Sequence, residues 1–174
     1  MQRFHDYGCP RERWRIGAEF ERLLLRGDGS AVGYFDDRGI AWVLQQLAER
    51  FGWEPELEQG RVIALWREGA STTLEPGGQV ELSGAPWASL LDVAREAERD
   101  FGELRSVAQD QDLHMVALGL TPFAKIADIP WVPKGRYAVM RSYLPERGDL
   151  ATTMMKGTSS FQANFDYADE GDCA

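Results

Sequence analysis

Residues 72–86 read TTLEPGGQVELSGAP. Two extended pieces, one ending in Glu75 and one carrying Glu81, flank a Pro-Gly-Gly turn. Gln79, Glu81 and Ser83 alternate with Val80 and Leu82, so one strand face is polar and the other apolar. Gly77 and Gly78 permit positive φ and close backbone approach. A solvated acidic hairpin can be written this way, and so can a metal–phosphate site. The surrounding sequence has to decide between them.

Upstream, Val62 to Trp66 and Ser71 to Glu75 flank REGA and read as a hairpin, with Gln79 to Ser83 a third short strand. Trp14 to Leu25, WRIGAEFERLLL, alternates at its start. Ile16 and Ala18 fall on one face, Glu19 and Glu21 on the other. After a turn-rich RGDGSAVGY, Asp36 or Asp37 is expected to cap a helix running to about Phe51. Its Ile40, Val43, Leu44, Leu47, Ala48 and Phe51 lie on one helical face.

Downstream, the spacing of Leu90, Ala94, Ala97, Phe101, Leu104 and Ala108 predicts a helix from Ala88 to about Ala108. Leu113 to Leu118 reads as a strand. Residues 119–135 read as an ordered loop, carrying Phe123, Ile126, Ile129 and Trp131 among three prolines. RYAVMRSYL is a short helix stopped by Pro145. In Ser159 to Tyr167 the aromatic face Phe161, Ala163, Phe165, Tyr167 alternates with Ser160, Gln162, Asn164, Asp166. Short strands joined partly by hairpins indicate an α+β fold with a mostly antiparallel sheet. DYADEGDCA has the look of a capped helix start at which the sequence stops, so the chain reads as a fragment.

The chain has 174 residues, 44% of them hydrophobic, enough for one domain with a substantial core. Its 28 acids against 19 bases give a net charge of −9, which argues against a nucleic-acid surface. An acidic site can still hold a polyphosphate through divalent cations. No apolar run approaches the roughly 20 residues that cross a bilayer, and the start has no signal-peptide core. Two distant cysteines, Cys9 and Cys173, form neither a disulfide framework nor a zinc pattern, so a reduced cytoplasmic protein is expected. Neither GxGxxG nor GxxxxGK[ST] occurs.

Four groups of residues carry possible chemistry. Glu19 and Glu21 share a strand face, where like charges repel unless water, a base or a cation relieves them. Glu75 and Glu81 can join them on one sheet surface, and hard carboxylate oxygens suit Mg²⁺ and Mn²⁺. Ser160, Gln162, Asn164 and Asp166 form a polar face suited to a polar ligand. Lys134, Arg136 and Arg141 form a basic segment in which arginine forks can grip carboxylate or phosphate. Each pattern taken alone is equally the writing of a solvated surface. Of the two histidines, His5 and His114, the second reads as a structural residue of a core strand, and no nucleophilic triad is visible.

Longer motifs narrow the choice. TLEPGGQVELSGAP, GLTPFAKIADIPWVPKGRYAVMRSYLP, MMKGTSSFQANFDYADE and the early RIGAEFE resemble, in this order, segments of the glutamate–cysteine ligase family of plant and proteobacterial type. The likeness runs from about Trp14 to Ala174. It implies that residues 1–174 are the N-terminal part of a single ligase catalytic domain, with a glutamine synthetase-like curved sheet and outer helices. It also implies the reaction: ATP phosphorylates the γ-carboxylate of glutamate, and the amine of cysteine displaces phosphate to give γ-glutamylcysteine, the first step toward glutathione-type thiols. By the resemblance, Glu19, Glu21, Glu75 and Glu81 are metal-site acids, with Mg²⁺, or Mn²⁺, as the ion. Glu75, Glu81 and Arg136 carry catalysis, and Arg141, Thr158, Gln162 and Asn164 bind substrate or nucleotide. Glutamate, cysteine and ATP are the expected partners, with no nucleic acid and no membrane. Lys156 stands where relatives often have Arg, and FQANFD replaces a more aliphatic strand. A related ligase using another amine acceptor, or a non-catalytic binding protein, would share most of these motifs.

Overall fold

A computed structural model describes residues 7–173. The chain forms β1 (Ile16–Leu25), α1 (Ile40–Phe51), β2 (Glu54–Glu58), β3 (Arg61–Arg67), β4 (Ala70–Leu74), β5 (Val80–Ser83), α2 (Leu90–Gln109), β6 (His114–Val116), α3 (Gly135–Tyr143), α4 (Ala151–Gly157), β7 (Phe161–Phe165) and α5 (Glu170–Cys173). The strands make one sheet in the order β2-β3-β4-β5-β1-β6, and β7 also pairs with β1. Every pairing is antiparallel, so the α+β expectation holds. β6 takes Leu23–Leu25 of β1, whereas β7 takes Ile16–Phe20.

The alternation of apolar residues decides which face is covered. Leu24, Leu65, Leu74, Val80 and Leu82 point to a core completed by Val43, Leu44 and Leu47 of α1 and by Leu104, Val107 and Ala108 of α2. Burying these side chains contributes about 1.5–3 kcal/mol each before entropy is subtracted. α2 begins at a Ser89 cap whose hydroxyl accepts from the Asp92 amide at 3.3 Å, and α1 ends on Gly52 in the left-handed region. Among the described residues, no helix packs over the opposite sheet face at Glu19, Glu21 and Glu81, which are half-buried.

Several expectations are corrected. Neither Asp36 nor Asp37 caps α1: its N-cap is Gly39. Asp36 instead accepts the Gly33 amide and pairs with Arg26 at 2.7 Å. β2 and α4 were not anticipated. Leu90 and Phe123 are exposed rather than packed, and His114 is exposed on β6. His5 lies outside the described residues. Phe161 and Phe165, on the aromatic face of β7, are also exposed, although Phe161 leans on Phe20 at 4.8 Å.

One ion pair is enclosed on the helix side. Arg22 of β1 meets Asp100 of α2, both almost wholly buried, and its Nε donates to the Val80 carbonyl at 3.2 Å. The guanidinium also lies over Phe101 at 5.1 Å. Removing one partner leaves the other charge uncompensated. Asp100→Ala is therefore expected to cost about 3–5 kcal/mol in urea unfolding. Pairing Arg22→Met with Asp100→Leu should recover most of that loss, and a single variant that unfolds like the wild type would refute the account.

Candidate functional site

Strand register brings the separated acids together. Glu21 stands opposite Glu81, and Glu19 stands opposite Ser83 on one side and Gln162 on the other. Paired residues of antiparallel strands share a face, so Glu19, Glu21, Glu81, Thr73, Ser83 and Gln162 all project to the uncovered side. Glu75 extends the row beyond Thr73, at the end of β4. The site is thus assembled from β1, β4, β5 and β7.

Hydrogen bonds orient each carboxylate. Asn164 Nδ2 donates to Glu19 Oε1 at 3.0 Å. The Ser160 amide donates to Glu21 Oε2 at 2.8 Å, while the Ser159 hydroxyl holds the Glu21 carbonyl at 2.7 Å. Glu81 accepts from Ser83 at 3.0 Å and from Thr73 at 3.3 Å. Glu75 has Arg136 at 3.7 Å. Burial, the Glu81 carboxylate that both repels and hydrogen-bonds it, and Glu21 together outweigh that arginine and push Glu75 up to about 7.

The turn that carries Glu75 is gripped from two sides. Lys134 Nζ and the Tyr137 hydroxyl both donate to the Leu74 carbonyl, at 2.9 and 2.5 Å, and the Val132 amide donates to the Pro76 carbonyl at 3.0 Å. From the other side, Gln79 Nε2 donates to the Thr158 carbonyl at 2.8 Å while its Oε1 accepts the Gly77 amide at 2.9 Å. Gly77 faces the Lys156 carbonyl, which would lie 2.2 Å from an added Cβ, and Gly78 has φ +89°. Both glycines are required by geometry. Gln79 is correspondingly not a free polar group beside Glu81 and Ser83, as its spacing suggested. It is a buried staple.

The remaining expected residues are divided. Arg136 lines a cleft of about 530 Å³ with Glu75, Glu81, Thr73 and Ser83. Gln162 and Asn164 flank Glu19 on β7 and are exposed. Thr158 turns its hydroxyl to the Met154 carbonyl at 2.5 Å, closing α4. Arg141 lies 5.5 Å over the Trp131 ring, which it shares with buried Lys156 at 5.3 Å, and does not line the cleft. Burial, with Arg141 nearby, holds Lys156 below the usual lysine range.

Two more residues line the cleft: Lys134, which the sequence placed in the basic segment, and Trp66, which sequence reasoning passed over. Lys134 is buried in the cleft wall and lowered to about 8 by burial and by Arg136, against the pull of Glu75 and Glu81. The half-exposed Trp66 forms the opposite wall, its Nε1 donating to Glu56 at 2.6 Å. Trp66 gave no signal beyond its place in a hairpin.

Among the described residues, no three His, Cys, Asp or Glu side chains stand in an arrangement that could hold a metal ion. In kind, the donors fit a hard cation. They are carboxylate oxygens, crowded enough to push Glu75 up to about 7, with Arg136 3.7 Å away.

Residues 15–173 match the family described as Glutamate-cysteine ligase family 2 (GCS2). The chain is 39% identical over 166 residues to glutamate–cysteine ligase A, chloroplastic, of Oryza sativa subsp. japonica, covering 95% of this chain and 33% of the relative. It is 38% identical to the chloroplastic enzyme of Brassica juncea and 37% identical to that of Arabidopsis thaliana, covering 95% of this chain and 32% and 31% of those relatives. The chain therefore spans about a third of the length of the curated relatives it matches.

The raised value of Glu75 has a consequence for stability. A glutamate near 4.5 when unfolded and about 7 when folded holds its proton more tightly in the native state. Its contribution to stability is full below about 4.5 and is lost as pH rises through about 7. Glu75→Gln keeps the neutral shape, so its Tm relative to wild type should be higher at pH 8 than at pH 5. The same Tm difference at both pH values would refute the assignment.

Proposed function

We propose, on the premise that this chain belongs to glutamate-cysteine ligase family 2, that it forms part of an ATP-dependent ligase joining the γ-carboxylate of glutamate to the amine of cysteine. The observation that carries the reading is the row of glutamates. Residues up to 62 positions apart, Glu19, Glu21, Glu75 and Glu81, meet on one uncovered sheet face beside a cleft with cationic groups. Such a row is unfavourable in isolation and suited to a pair of anionic substrates that approach each other through cations.

In this reading Glu19, Glu21, Glu75 and Glu81 would hold Mg²⁺, which would neutralise polyphosphate and carboxylate and stabilise the transferring phosphoryl group. Gln162 and Asn164 extend the same face toward nucleotide. Arg136, anchored to Tyr137 at 2.8 Å, orients the carboxylate that accepts phosphate. The clamp on Leu74 holds Glu75 and Arg136 in register, which fixes the approach of phosphate and carboxylate. The amine of cysteine then attacks the acyl phosphate and phosphate leaves. Thr158 and Arg141 serve substrate binding from α4 and α3.

The antiparallel sheet, with helices on one face and acids on the other, supports a glutamine synthetase-like funnel of which residues 1–174 supply part of one catalytic domain. A cytoplasmic setting belongs to the same proposal. The plant relatives named above are chloroplastic.

The test is ADP release by the intact protein that carries this chain, with Mg²⁺, ATP and glutamate, with and without cysteine. Glu21→Gln and Glu75→Gln should each lower cysteine-dependent release by about a hundredfold or more while leaving circular dichroism unchanged. Wild-type turnover by both variants would remove the carboxylate row from the mechanism. Faster release with a non-thiol amine would replace cysteine as the acceptor.

A further inference from the structure

The front cleft and the cavity behind the sheet treat charge differently. The rear cavity, bounded by β4, β5 and α2, is about 210 Å³, and the charges around it are matched. Arg95 pairs with Asp92 at 3.1 Å, Arg99 with Glu68 at 3.2 Å and Arg67 with Glu103 at 3.0 Å. The front cleft, at about 530 Å³, falls within the usual range of small-molecule sites, about 300–1,000 Å³. Its charges are sorted by end. The basic groups are committed at the β4–β5 end, where Lys134 Nζ donates to the Leu74 carbonyl and Arg136 donates to Tyr137 and faces Glu75. Glu56 and Glu58 stand at the β2–β3 end. Glu56 accepts the Trp66 indole N–H at 2.6 Å and Glu58 the Gly135 amide at 2.8 Å. Among the described residues, neither carboxylate has a lysine or arginine paired with it.

Strand register sets the two ends apart. Glu56 stands opposite Ala64, Ala64 opposite Thr73, and Thr73 opposite Glu81, so all four project to one face. Three strand spacings, about 14 Å, separate the backbones of Glu56 and Glu81. The small side chains of Ala64 and Thr73 leave the trough between them open. Trp66, two positions beyond Ala64, forms its wall and is 48% exposed. Other indoles of this chain already hold a cation: Arg11 lies over Trp14, Arg67 over Trp53, and both Arg141 and Lys156 over Trp131. Among the described residues, no basic side chain lies over Trp66. An open aromatic face attracts a cation, and the unpaired carboxylates beside it accept hydrogen bonds from N–H⁺. We infer that the β2–β3 end of the front cleft is a subsite for the primary ammonium group of a small amino acid, held by Glu56 and Glu58 against the face of Trp66, with a carboxylate of the same molecule toward Arg136. Which amino acid arrives rests on the proposed function; that an ammonium is received does not.

Glutamate and glutarate make a matched pair of probes, since glutarate is glutamate without its ammonium group. The intact protein that carries this chain, labelled with ¹⁵N on tryptophan, would be titrated with each in the absence of nucleotide. The Trp66 signal is identified by its loss in Trp66→Leu. Glutamate should move the Trp66 N–H resonance saturably and bind about five- to tenfold more tightly than glutarate. Glu56→Gln keeps an acceptor for the indole and loses the charge, and Trp66→Leu loses the ring; each should bring that ratio to about two or less. Glu98→Gln removes the same charge from the exposed side of α2 and should leave the ratio as it is. Equal affinities for the wild type would overturn the inference. So would an unshifted Trp66 signal, a preference that survives Glu56→Gln, or an equal fall in Glu98→Gln. Preference for glutamate without cysteine-dependent ADP release would uphold the subsite and retire the ligase reading, whereas ADP release without the preference would do the reverse.

Discussion

The carbonyl oxygen of Leu74 accepts two side-chain hydrogen bonds, from Lys134 and Tyr137, sixty and sixty-three positions downstream. A third long-range bond, from the Val132 amide, takes the Pro76 carbonyl. The turn between β4 and β5 is consequently held from outside the hairpin. A two-stranded hairpin alone is marginal in water, and a Pro-Gly-Gly turn adds chain entropy rather than removing it. Burying the Lys134 ammonium is costly, as its lowered value near 8 indicates. The Leu74 carbonyl and the nearby Glu75 and Glu81 offset that cost. Glu75 and Glu81, which repel one another, thus both favour the buried charge of Lys134.

The sheet sorts charge by parity. Glu21 and Arg22 are chain neighbours on opposite faces. Arg22 is neutralised beneath the sheet by Asp100, whereas Glu21 joins the acids above it. Like charges at this density destabilise the folded state unless something else holds the strands in place. The core under Val80, Leu82 and Leu74 supplies that support, because slipping the strands to separate the acids would expose those apolar side chains. Electrostatic tension on one face is maintained by burial on the other.

Elements written in a simple period were legible. β1, β5 and the β3–β4 hairpin alternate, and α1 and α2 repeat at helical spacing, so tertiary context had only to confirm them. β2 reads EPELE, acidic and proline-containing, with no apolar face to mark it. It exists as an edge strand because β3 offers it a partner. α4 reads ATTMMKG, whose threonines and glycine carry weak helix propensity, and its C-terminal end is fixed by the Gln79 staple. The carboxylate row could be read because strand parity is local. Gln79 could not, since parity places it beside Glu81 while its amide turns inward to Met155 and Thr158. Nor could Lys134, whose role depends on a carbonyl sixty residues away.

Parity also joins the two cavities. In β3, Trp66 lines the front cleft and Arg67 the rear pocket. In β5, Glu81 and Ser83 face the front and Leu82 the rear. No residue is shared, yet neither cavity can be built without the other, because a one-residue slip would send every one of these side chains to the wrong side. Register in β4 and β5 is set at their common turn, by Gly77 against the Lys156 carbonyl and by the bonds to Leu74 and Pro76. The clamp around that turn therefore determines more than the place of Glu75. It fixes which face of the sheet is acidic and wet, and which is aromatic and enclosed.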